Sequence, residues 1–175
     1  MKRITIIGTG YVGLVSGAGL SDFGHQVRCV DKDKEKIDLL NDGIIPIHEP
    51  GLKTLITRNN NAKRLTFSVE IEDSIKWAQV ILIAVGTPQG KNGNADISAV
   101  IAVAKQIGKN LNKYKVICTK STVPIGTGNT IQKIIDQNNR DKIKYDYCSN
   151  PEFLREGAAV RDFLHPDRIV LGATS

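Results

Sequence analysis

Long apolar runs are missing from the sequence. No stretch approaches the ~20 residues that a membrane span requires. Met1, Lys2 and Arg3 lead straight into a strand-like run, without the pattern of a cleavable signal peptide. We therefore expect a cytoplasmic protein that has no membrane partner.

Cysteine is scarce, and its placement argues against metal binding. Cys29, Cys118 and Cys148 each lie in or beside an apolar run, without CxxC spacing and without histidines at metal-ligand intervals. We interpret all three as structural thiols and expect no metal site.

Charge of one sign is not concentrated anywhere in the chain. The 24 basic and 18 acidic residues give a net charge of +6, and the lysines are scattered rather than gathered into a basic arm or stripe. This pattern predicts a solvated basic surface that tolerates phosphate-bearing ligands, and it does not favour nucleic-acid binding. A chain of 175 residues with 41% hydrophobic content is long enough for one well-buried domain, so we expect one domain over residues 1–175. Repeats and low-complexity segments are lacking as well, and the polar residues Asn59, Asn60 and Asn61 predict a loop.

The sequence does contain an alternation of strand-like and helical segments. Short, unbroken hydrophobic runs indicate strands that are buried on both faces, and they occupy residues 4–7, 27–30, 80–85, 116–119 and 145–148. Apolar residues recur at helical spacing over residues 97–107 and 129–138, and Asp96 is a candidate N-cap for the first of these helices. This alternation predicts an α/β fold, a doubly wound parallel sheet with helices on both faces and a final strand over residues 169–171.

A glycine-rich turn follows the first strand. Gly8, Gly10 and Gly13 form a GxGxxG motif at the start of an apolar helix. In a dinucleotide-binding fold the first glycine permits a tight turn, the second lets the backbone approach the pyrophosphate, and the third lets the helix pack on the strand. The helix N-terminus would then face the phosphates. Because GxGxxG alone is a weak signal, a glycine-rich turn without a ligand is the alternative.

An acidic residue at the end of the second strand supports the dinucleotide interpretation. Asp31 follows Gly13 by 18 residues, close to the ~20-residue interval of a ribose-binding carboxylate. Such a carboxylate accepts hydrogen bonds from both ribose hydroxyls and repels a 2′-phosphate, which favours NAD over NADP. Two alternatives stay open: Asp31 as a helix cap, and pairing of a 2′-phosphate with Lys32, Lys34 or Lys36.

Three polar turns follow the later strands. They cover residues 86–93, a loop able to wrap a ligand, and residues 120–126 and 149–157. Ligands of an open α/β sheet bind outside the carboxyl ends of its strands, so the three turns favour a site there. Gly, Pro, Ser and Asn also make ordinary turns, which is the alternative.

The motifs, taken together and in their order along the chain, resemble those of the nucleotide-sugar 6-dehydrogenases, the UDP-glucose/GDP-mannose dehydrogenase family. The resemblance runs from GTGYVGL through VGTP, KSTVP and SNPEFLREG to HPDRIVLG and spans essentially the whole chain. It implies a Rossmann-like NAD-binding domain. Members of this family oxidise the primary alcohol of a sugar to a carboxylate in two steps that consume NAD and water.

The resemblance assigns cofactor roles to individual residues. The positions that match the NAD-binding residues of the family are Gly8, Gly10, Gly13 and Asp31, with Tyr11, Val12 and Lys36 as weaker additions. The loops beside the nicotinamide are represented by Gly86, Thr87, Pro88, Ser121 and Thr122.

Catalytic and substrate roles are implied as well. Thr122 and Glu152 match the pair that holds a catalytic water, with Glu152 as the general base. With Glu152, the segment that lines the sugar-nucleotide site would consist of Phe153, Leu154, Arg155 and Glu156, of which Glu156 is also a candidate catalytic residue. The alternative for Glu152 is an acidic residue at a helix N-terminus after Pro151.

The residue types within two of these motifs narrow the set of expected substrates. Relatives that act on N-acetylamino sugars tend to carry arginine after the Pro-Glu pair, so Phe153 favours UDP-glucose or GDP-mannose. HPDRIVLG is more similar to the UDP-glucose branch. UDP-glucose is therefore the expected nucleotide-sugar substrate.

Several parts that the resemblance implies are not found in this chain. The family's nucleophilic cysteine lies in a later glycine-rich segment followed by Pro-Lys-Asp, and none of the three cysteines here has such flanks. The central helix, through which full-length relatives usually dimerise, and the UDP-binding domain are not in the sequence either. We expect a domain that binds NAD but does not complete the oxidation alone. The competing hypotheses are a Rossmann oxidoreductase of the 6-phosphogluconate or 3-hydroxyacid type, and an NAD-binding module without catalysis.

Overall fold

The fold is seen in a computed structural model, which describes residues 1–90 and 93–173. Lys91 and Asn92 of the loop predicted to wrap a ligand lie outside the described residues. The helices and strands, in chain order, are β1 (Arg3–Ile7), α1 (Tyr11–Asp22), β2 (Gln26–Val30), α2 (Lys34–Asn41), α3 (Leu52–Asn61), β3 (Leu65–Ser68), α4 (Ile71–Trp77), β4 (Val80–Ile83), α5 (Ser98–Asn110), β5 (Lys115–Thr119), α6 (Thr127–Asn138), β6 (Tyr145–Ser149), α7 (Ala159–Leu164) and β7 (Gly172–Ala173). Within these ranges, no helix combines the length and the apolar character needed to cross a membrane.

The strands form a sheet in the order β3-β2-β1-β4-β5-β6-β7. Pairing is parallel from β3 through β6, with Ile6 of β1 opposite Cys29 of β2 and Leu82 of β4. The chain winds outward in two directions from the β1/β4 pair, which confirms the predicted doubly wound architecture. β7 departs from the prediction because it runs antiparallel to β6.

Helices cover both faces of the sheet, and this explains the unbroken apolar runs. Along β4, Ile81 and Ile83 belong to one core and Leu82 to the other. Residues of α1, α2, α3 and α7 pack in the core of Leu82, and residues of α4, α5 and α6 pack in the opposite core. Successive side chains of a strand point to opposite faces, so a strand between two helical layers is apolar at every position.

The polar run at residues 59–61 is not the predicted loop but the last turn of α3. Asn59 is buried, and its Nδ2 donates hydrogen bonds to the carbonyl of Leu55 and to the carboxylate of Asp22. Its Oδ1 accepts from the guanidinium of Arg64. Because every polar atom of the amide finds a partner, burial of Asn59 inside a helix carries no unpaired group.

Two other local predictions were wrong. The final strand is Gly172–Ala173 rather than residues 169–171, whose side chains are exposed. The helix predicted over residues 97–107 is α5, and its N-cap position is Ile97 rather than Asp96. Asp96 still supports this end of the helix, because its Oδ1 accepts a hydrogen bond from the backbone N–H of Ser98.

Candidate functional site

The predicted site residues meet at one edge of the sheet. β1, β2, β4, β5 and β6 are parallel, so the turns that follow them lie along the same edge. The centre of this edge is the β1/β4 pair, where the chain reverses its winding direction. Ligands of doubly wound folds bind at such a switch point.

The glycines of the turn after β1 serve two different purposes. Gly8 has a φ of +108°, and a Cβ on it would lie 2.5 Å from the carbonyl oxygen of Ala84. A Cβ on Gly13 would lie 1.9 Å from the carbonyl oxygen of Gly8. Gly10, the N-cap of α1, has an ordinary φ of −74°, and a Cβ on it would meet no atom within 4 Å. Gly8 and Gly13 thus permit close packing, whereas Gly10 borders open space in front of α1.

Asp31 reaches from the end of β2 into this turn. Its Oδ2 accepts hydrogen bonds from the N–H and the hydroxyl of Thr9, each 2.8 Å long, and its Oδ1 accepts one from the N–H of Asp33. Lys36 Nζ lies 3.6 Å from Oδ2. Burial alone would raise the pKa of Asp31, but the bonds from Thr9 and Asp33 and the charge of Lys36 outweigh it and lower the pKa below its ordinary value.

The interpretation of Asp31 as a helix cap was wrong. The N-cap of α2 is Asp33, whose side chain accepts a hydrogen bond from the N–H of Lys36. Lys34, another lysine that could meet a 2′-phosphate, forms an ion pair with Asp38 at 2.6 Å. Asp31 is therefore not the cap of α2 but a carboxylate bonded to Thr9 of the glycine turn, and its lowered pKa keeps it ionised at neutral pH.

The Asp31→Asn variant tests whether this charge selects NAD over NADP. We expect the ratio of the two dissociation constants to shift towards NADP by about tenfold, or about 1.4 kcal/mol, because a charge that repels the 2′-phosphate is removed. Calorimetric titrations with both cofactors at equal ionic strength measure this ratio. Asp33→Asn is the matched control, since asparagine is an equally good N-cap. An equal shift in both variants would contradict a specific role for Asp31.

The turns after β4 and β5 are bonded to each other. Thr87 Oγ1 donates a hydrogen bond to the carbonyl of Thr122, and Ser121 Oγ donates to the carbonyl of Val85. The backbone N–H of Ser121 also donates to the carbonyl of Ile83. The predicted nicotinamide loops, 86–88 and 121–122, therefore form one surface beside the glycine turn.

The segment after β6 turns back towards the sheet. Glu152 is half-buried, and its Oε2 accepts a hydrogen bond from the backbone N–H of Leu154 at 2.6 Å. Among the hydrogen bonds of residues 1–90 and 93–173, none joins Glu152 to Thr122 directly. Phe153 is 51% exposed, with the guanidinium of Arg168 5.1 Å from its ring centroid.

Arg155 is held within its own segment. Its guanidinium forms a two-pronged ion pair with Asp162, with N–O distances of 2.7 and 3.0 Å, and its backbone N–H donates to the same carboxylate. The Asp162 contact raises the pKa of Arg155. Glu156, the next residue, is exposed. The side chain of Arg155 thus orders the turn into α7, and a substrate role for it requires an exchange of partners.

Glu49 is a residue that the motifs did not reveal. It lies between α2 and α3, is only 6% exposed, and accepts hydrogen bonds from the hydroxyl of Tyr11 and from the N–H groups of Gly157 and Ala159. Burial alone would raise the pKa of Glu49, but these bonds outweigh it and lower the pKa. Tyr11 also donates to the carbonyl of Arg155. Glu49 thereby ties the first residue of α1 to the segment after Glu152.

Lys120 is the second residue that the motifs did not assign. It is 8% exposed, and its Nζ donates a hydrogen bond to the side-chain oxygen of Asn150 at 3.1 Å. Burial lowers the pKa of Lys120, and the nearby charge of Glu152 acts in the opposite direction. Lys120 and Glu152 both line a cavity of about 770 Å³ between the sheet and the segments 150–155 and 165–169. This cavity has room for a ligand next to Glu152.

Comparison with known proteins identifies the family. Residues 2–175 match the model of the UDP-glucose/GDP-mannose dehydrogenase family, NAD binding domain. The chain belongs to this family. It is 50% identical over 175 residues to UDP-glucose 6-dehydrogenase TuaD of Bacillus subtilis (strain 168), a match that covers 100% of this chain and 38% of the relative.

Solved structures of the UDP-glucose/GDP-mannose dehydrogenase family share the fold. A UDP-glucose dehydrogenase from the hyperthermophilic archaeon Pyrobaculum islandicum superposes with a TM-score of 0.96 at 36% identity, over 100% of this chain and 41% of that one. A GDP-mannose dehydrogenase from Pseudomonas aeruginosa, solved as a ternary complex, gives 0.94 at 36% identity, over 99% and 41%. The chain thus spans about two fifths of the length of these relatives.

As the NAD-binding domain of this family, the chain has residues that fit the cofactor. The open space at Gly10 lies in front of the N-terminus of α1, where unpaired N–H groups and the helix dipole favour a pyrophosphate. Asp31 supplies an ionised carboxylate beside the same turn. Family membership also removes the hypothesis of a 6-phosphogluconate or 3-hydroxyacid dehydrogenase. The individual contacts of Tyr11, Val12, Lys36 and the loops at 86–88 and 121–122 with NAD stay predictions.

Proposed function

We propose that this chain is the cofactor-binding part of an enzyme that oxidises UDP-glucose to UDP-glucuronate in two NAD-dependent steps. The observation that carries the proposal is the meeting of the glycine turn, Asp31 and the segments 120–122 and 150–156 at one edge of the sheet. When bound, NAD accepts hydride from the sugar. The remaining three fifths of the relatives' length would supply the nucleophile and the rest of the substrate site.

The residues of this chain would act on protons and on water. Glu152 lines the cavity, and within residues 1–90 and 93–173 its carboxylate accepts a single hydrogen bond, from the backbone N–H of Leu154, which leaves further acceptor capacity. Such a carboxylate can take the proton of the primary hydroxyl, and later that of the attacking water. Thr122 would hold this water together with Glu152. Glu156 is a further candidate catalytic residue of the same segment.

Two observations bear on the identity of the sugar nucleotide. The curated relatives at 44–51% identity include several UDP-glucose 6-dehydrogenases, whereas the solved UDP-glucose and GDP-mannose enzymes are equally similar to this chain, each at 36% identity. Phe153, exposed at the cavity beside Arg168, would offer an aromatic side chain to a sugar or a base. GDP-mannose is the second candidate substrate, because its dehydrogenase superposes almost as well as the UDP-glucose enzyme.

Titration of this chain with NAD and NADP is the first test. We expect saturable binding of one NAD per chain, tighter than NADP, and no steady production of NADH when UDP-glucose is added. No binding of either cofactor would contradict the cofactor site. Sustained NADH production by this chain alone would contradict the expectation that it does not complete the oxidation of UDP-glucose by itself.

A chimera tests the reaction itself. In it, this chain replaces the corresponding part of the Bacillus subtilis relative, and NADH formation is measured with UDP-glucose and with GDP-mannose. Preferred oxidation of UDP-glucose supports the proposal, and preferred oxidation of GDP-mannose favours the second candidate. Binding of NAD without oxidation of either substrate supports the remaining hypothesis, a non-catalytic module.

In the same chimera, Glu152→Gln tests the general base. We expect kcat to fall by about 10²–10⁴-fold with little change in NAD affinity, because the amide cannot accept a proton. Glu72→Gln, an exposed position on α4, is the control and should leave kcat unchanged. A kcat within a few-fold of the parent would remove Glu152 from the catalytic role. The cytoplasmic location and the dimeric state of longer relatives stay predictions from the sequence.

A further inference from the structure

Cys118 and Cys148 face each other across neighbouring strands. They are register partners in the parallel β5/β6 pair, and their Sγ atoms lie 2.9 Å apart as free thiols. Adjacent strands lie about 4.7–4.9 Å apart, which falls within the Cα separations of about 4.4–6.8 Å that a disulfide spans. The two sulfurs can therefore be joined with little movement of the backbone.

The two thiols differ in their surroundings. Cys118 is buried, whereas Cys148 is half-buried, so Cys148 is the more exposed residue of the pair. The hydrogen bond between them lowers the pKa of Cys148 and raises the pKa of Cys118. The charge of Lys120 lowers the pKa of Cys118, but the hydrogen bond to Cys148 and burial outweigh it. Thiolate character thus accumulates on Cys148, the more exposed residue of the two, and thiolate is the reactive form.

Cys29 offers an internal comparison. It is fully buried on β2, and burial raises the pKa of its thiol to about 12. A Cβ on Gly17 would lie 2.4 Å from its Sγ, which shows how tightly this sulfur is enclosed. Cys29 therefore lacks both the exposure and the thiol partner that the other two cysteines have.

We propose that Cys118 and Cys148 form an oxidisable dithiol, a modification site at which peroxides close a disulfide between β5 and β6. In the first step the Cys148 thiolate attacks one oxygen of hydrogen peroxide, the O–O bond breaks, and hydroxide leaves. Cys148 is then a sulfenic acid. In the second step the Cys118 sulfur attacks the Cys148 sulfur, the S–O bond breaks, and the oxygen leaves as water with the Cys118 proton. The sulfurs lose two electrons in total, and the peroxide gains them.

The dithiol lies next to the candidate site without belonging to it. Cys118 precedes Lys120 by two residues, and Cys148 stands at the same distance before Asn150, which accepts the Lys120 hydrogen bond. The proposal does not depend on the proposed function, because the reaction needs only the two thiols and the oxidant.

The test is oxidation of the whole chain with an equimolar amount of hydrogen peroxide, followed by denaturation, alkylation and mass spectrometry without reductant. We expect a monomer that has lost the mass of two hydrogen atoms and is alkylated once, at Cys29, instead of three times. Peptide mapping should show a link between Cys118 and Cys148, and dithiothreitol should restore three alkylation sites.

Two variants separate the steps. Cys118→Ser should stop at a Cys148 sulfenic acid that dimedone traps, and Cys29→Ser should still close the link. Circular dichroism checks that both variants are folded, and the parent chain alone decides the outcome if Cys118→Ser is not. Three alkylated thiols after peroxide, a link that involves Cys29, or a linked dimer in place of the internal bond would overturn the proposal.

Discussion

Replacing Gly10 with valine should abolish most of the NAD affinity of this domain while leaving its stability nearly unchanged. A Cβ at this position meets no protein atom within 4 Å, and the backbone conformation there suits any residue. The branched side chain would instead fill the space in front of α1 that a pyrophosphate needs. We expect a loss of at least about a hundredfold in affinity, or about 2.7 kcal/mol.

The matched comparison is Gly13→Ala in the same turn. Its Cβ would lie 1.9 Å from the carbonyl oxygen of Gly8, so the backbone must shift and the free energy of unfolding should fall. Calorimetry with NAD and thermal unfolding, measured on both variants, separate the two effects. Unchanged NAD affinity in Gly10→Val, or a loss of stability as large as that in Gly13→Ala, would contradict the assignment of Gly10.

Replacing Glu49 with glutamine should loosen the connection between the cofactor turn and the segment after Glu152. Three donors, the Tyr11 hydroxyl and the N–H groups of Gly157 and Ala159, converge on the Glu49 carboxylate. An amide has one oxygen and a donor group, so at least one of these donors would face another donor. We expect a loss of about 2–3 kcal/mol in the free energy of unfolding. For a domain of this size, this corresponds to a fall in Tm of roughly 5–10 °C.

Hydrogen exchange localises this effect. In Glu49→Gln the amides of Gly157 and Ala159 should exchange faster than in the parent, while amides of β4 and β5 should be protected as before. Glu70→Gln, an exposed acidic residue whose side chain forms no cap hydrogen bond, is the control. Faster exchange throughout the sheet would mean that Glu49 supports the whole core rather than this connection.

The pH dependence of the same variant has a defined sign. Because the pKa of Glu49 is lowered in the folded state, its contribution is present above the unfolded value of about 4.3 and is lost as the pH falls through the folded value. The stability difference between the parent and Glu49→Gln should therefore be largest near neutral pH and shrink below about pH 4. A constant difference over this range would contradict an ionised Glu49.

Much of the architecture could be predicted from local patterns. β1, β2, β4, β5 and β6 could be predicted because a strand that is buried on both faces requires a continuous apolar run. β3 was not predicted, because its four residues alternate between buried and partly or fully exposed positions instead of forming a continuous apolar run. The end of α3 was not predicted either, because Asn59 is polar and is buried through hydrogen bonds rather than through apolar contacts.

The alternation of strands and helices around β1, β2, β4, β5 and β6, the glycine turn, the acidic residue after β2 and the family of the chain follow from the amino-acid sequence alone. Each is a local property, set by backbone sterics at glycine, by the periodicity of apolar residues or by motifs a few residues long. The Glu49 connection and the facing thiols of Cys118 and Cys148 arise only in the folded chain. Glu49 meets Gly157 across 108 residues, and the thiols meet across 30. Such contacts depend on strand register and helix packing, which bring together side chains that carry no local signal of each other.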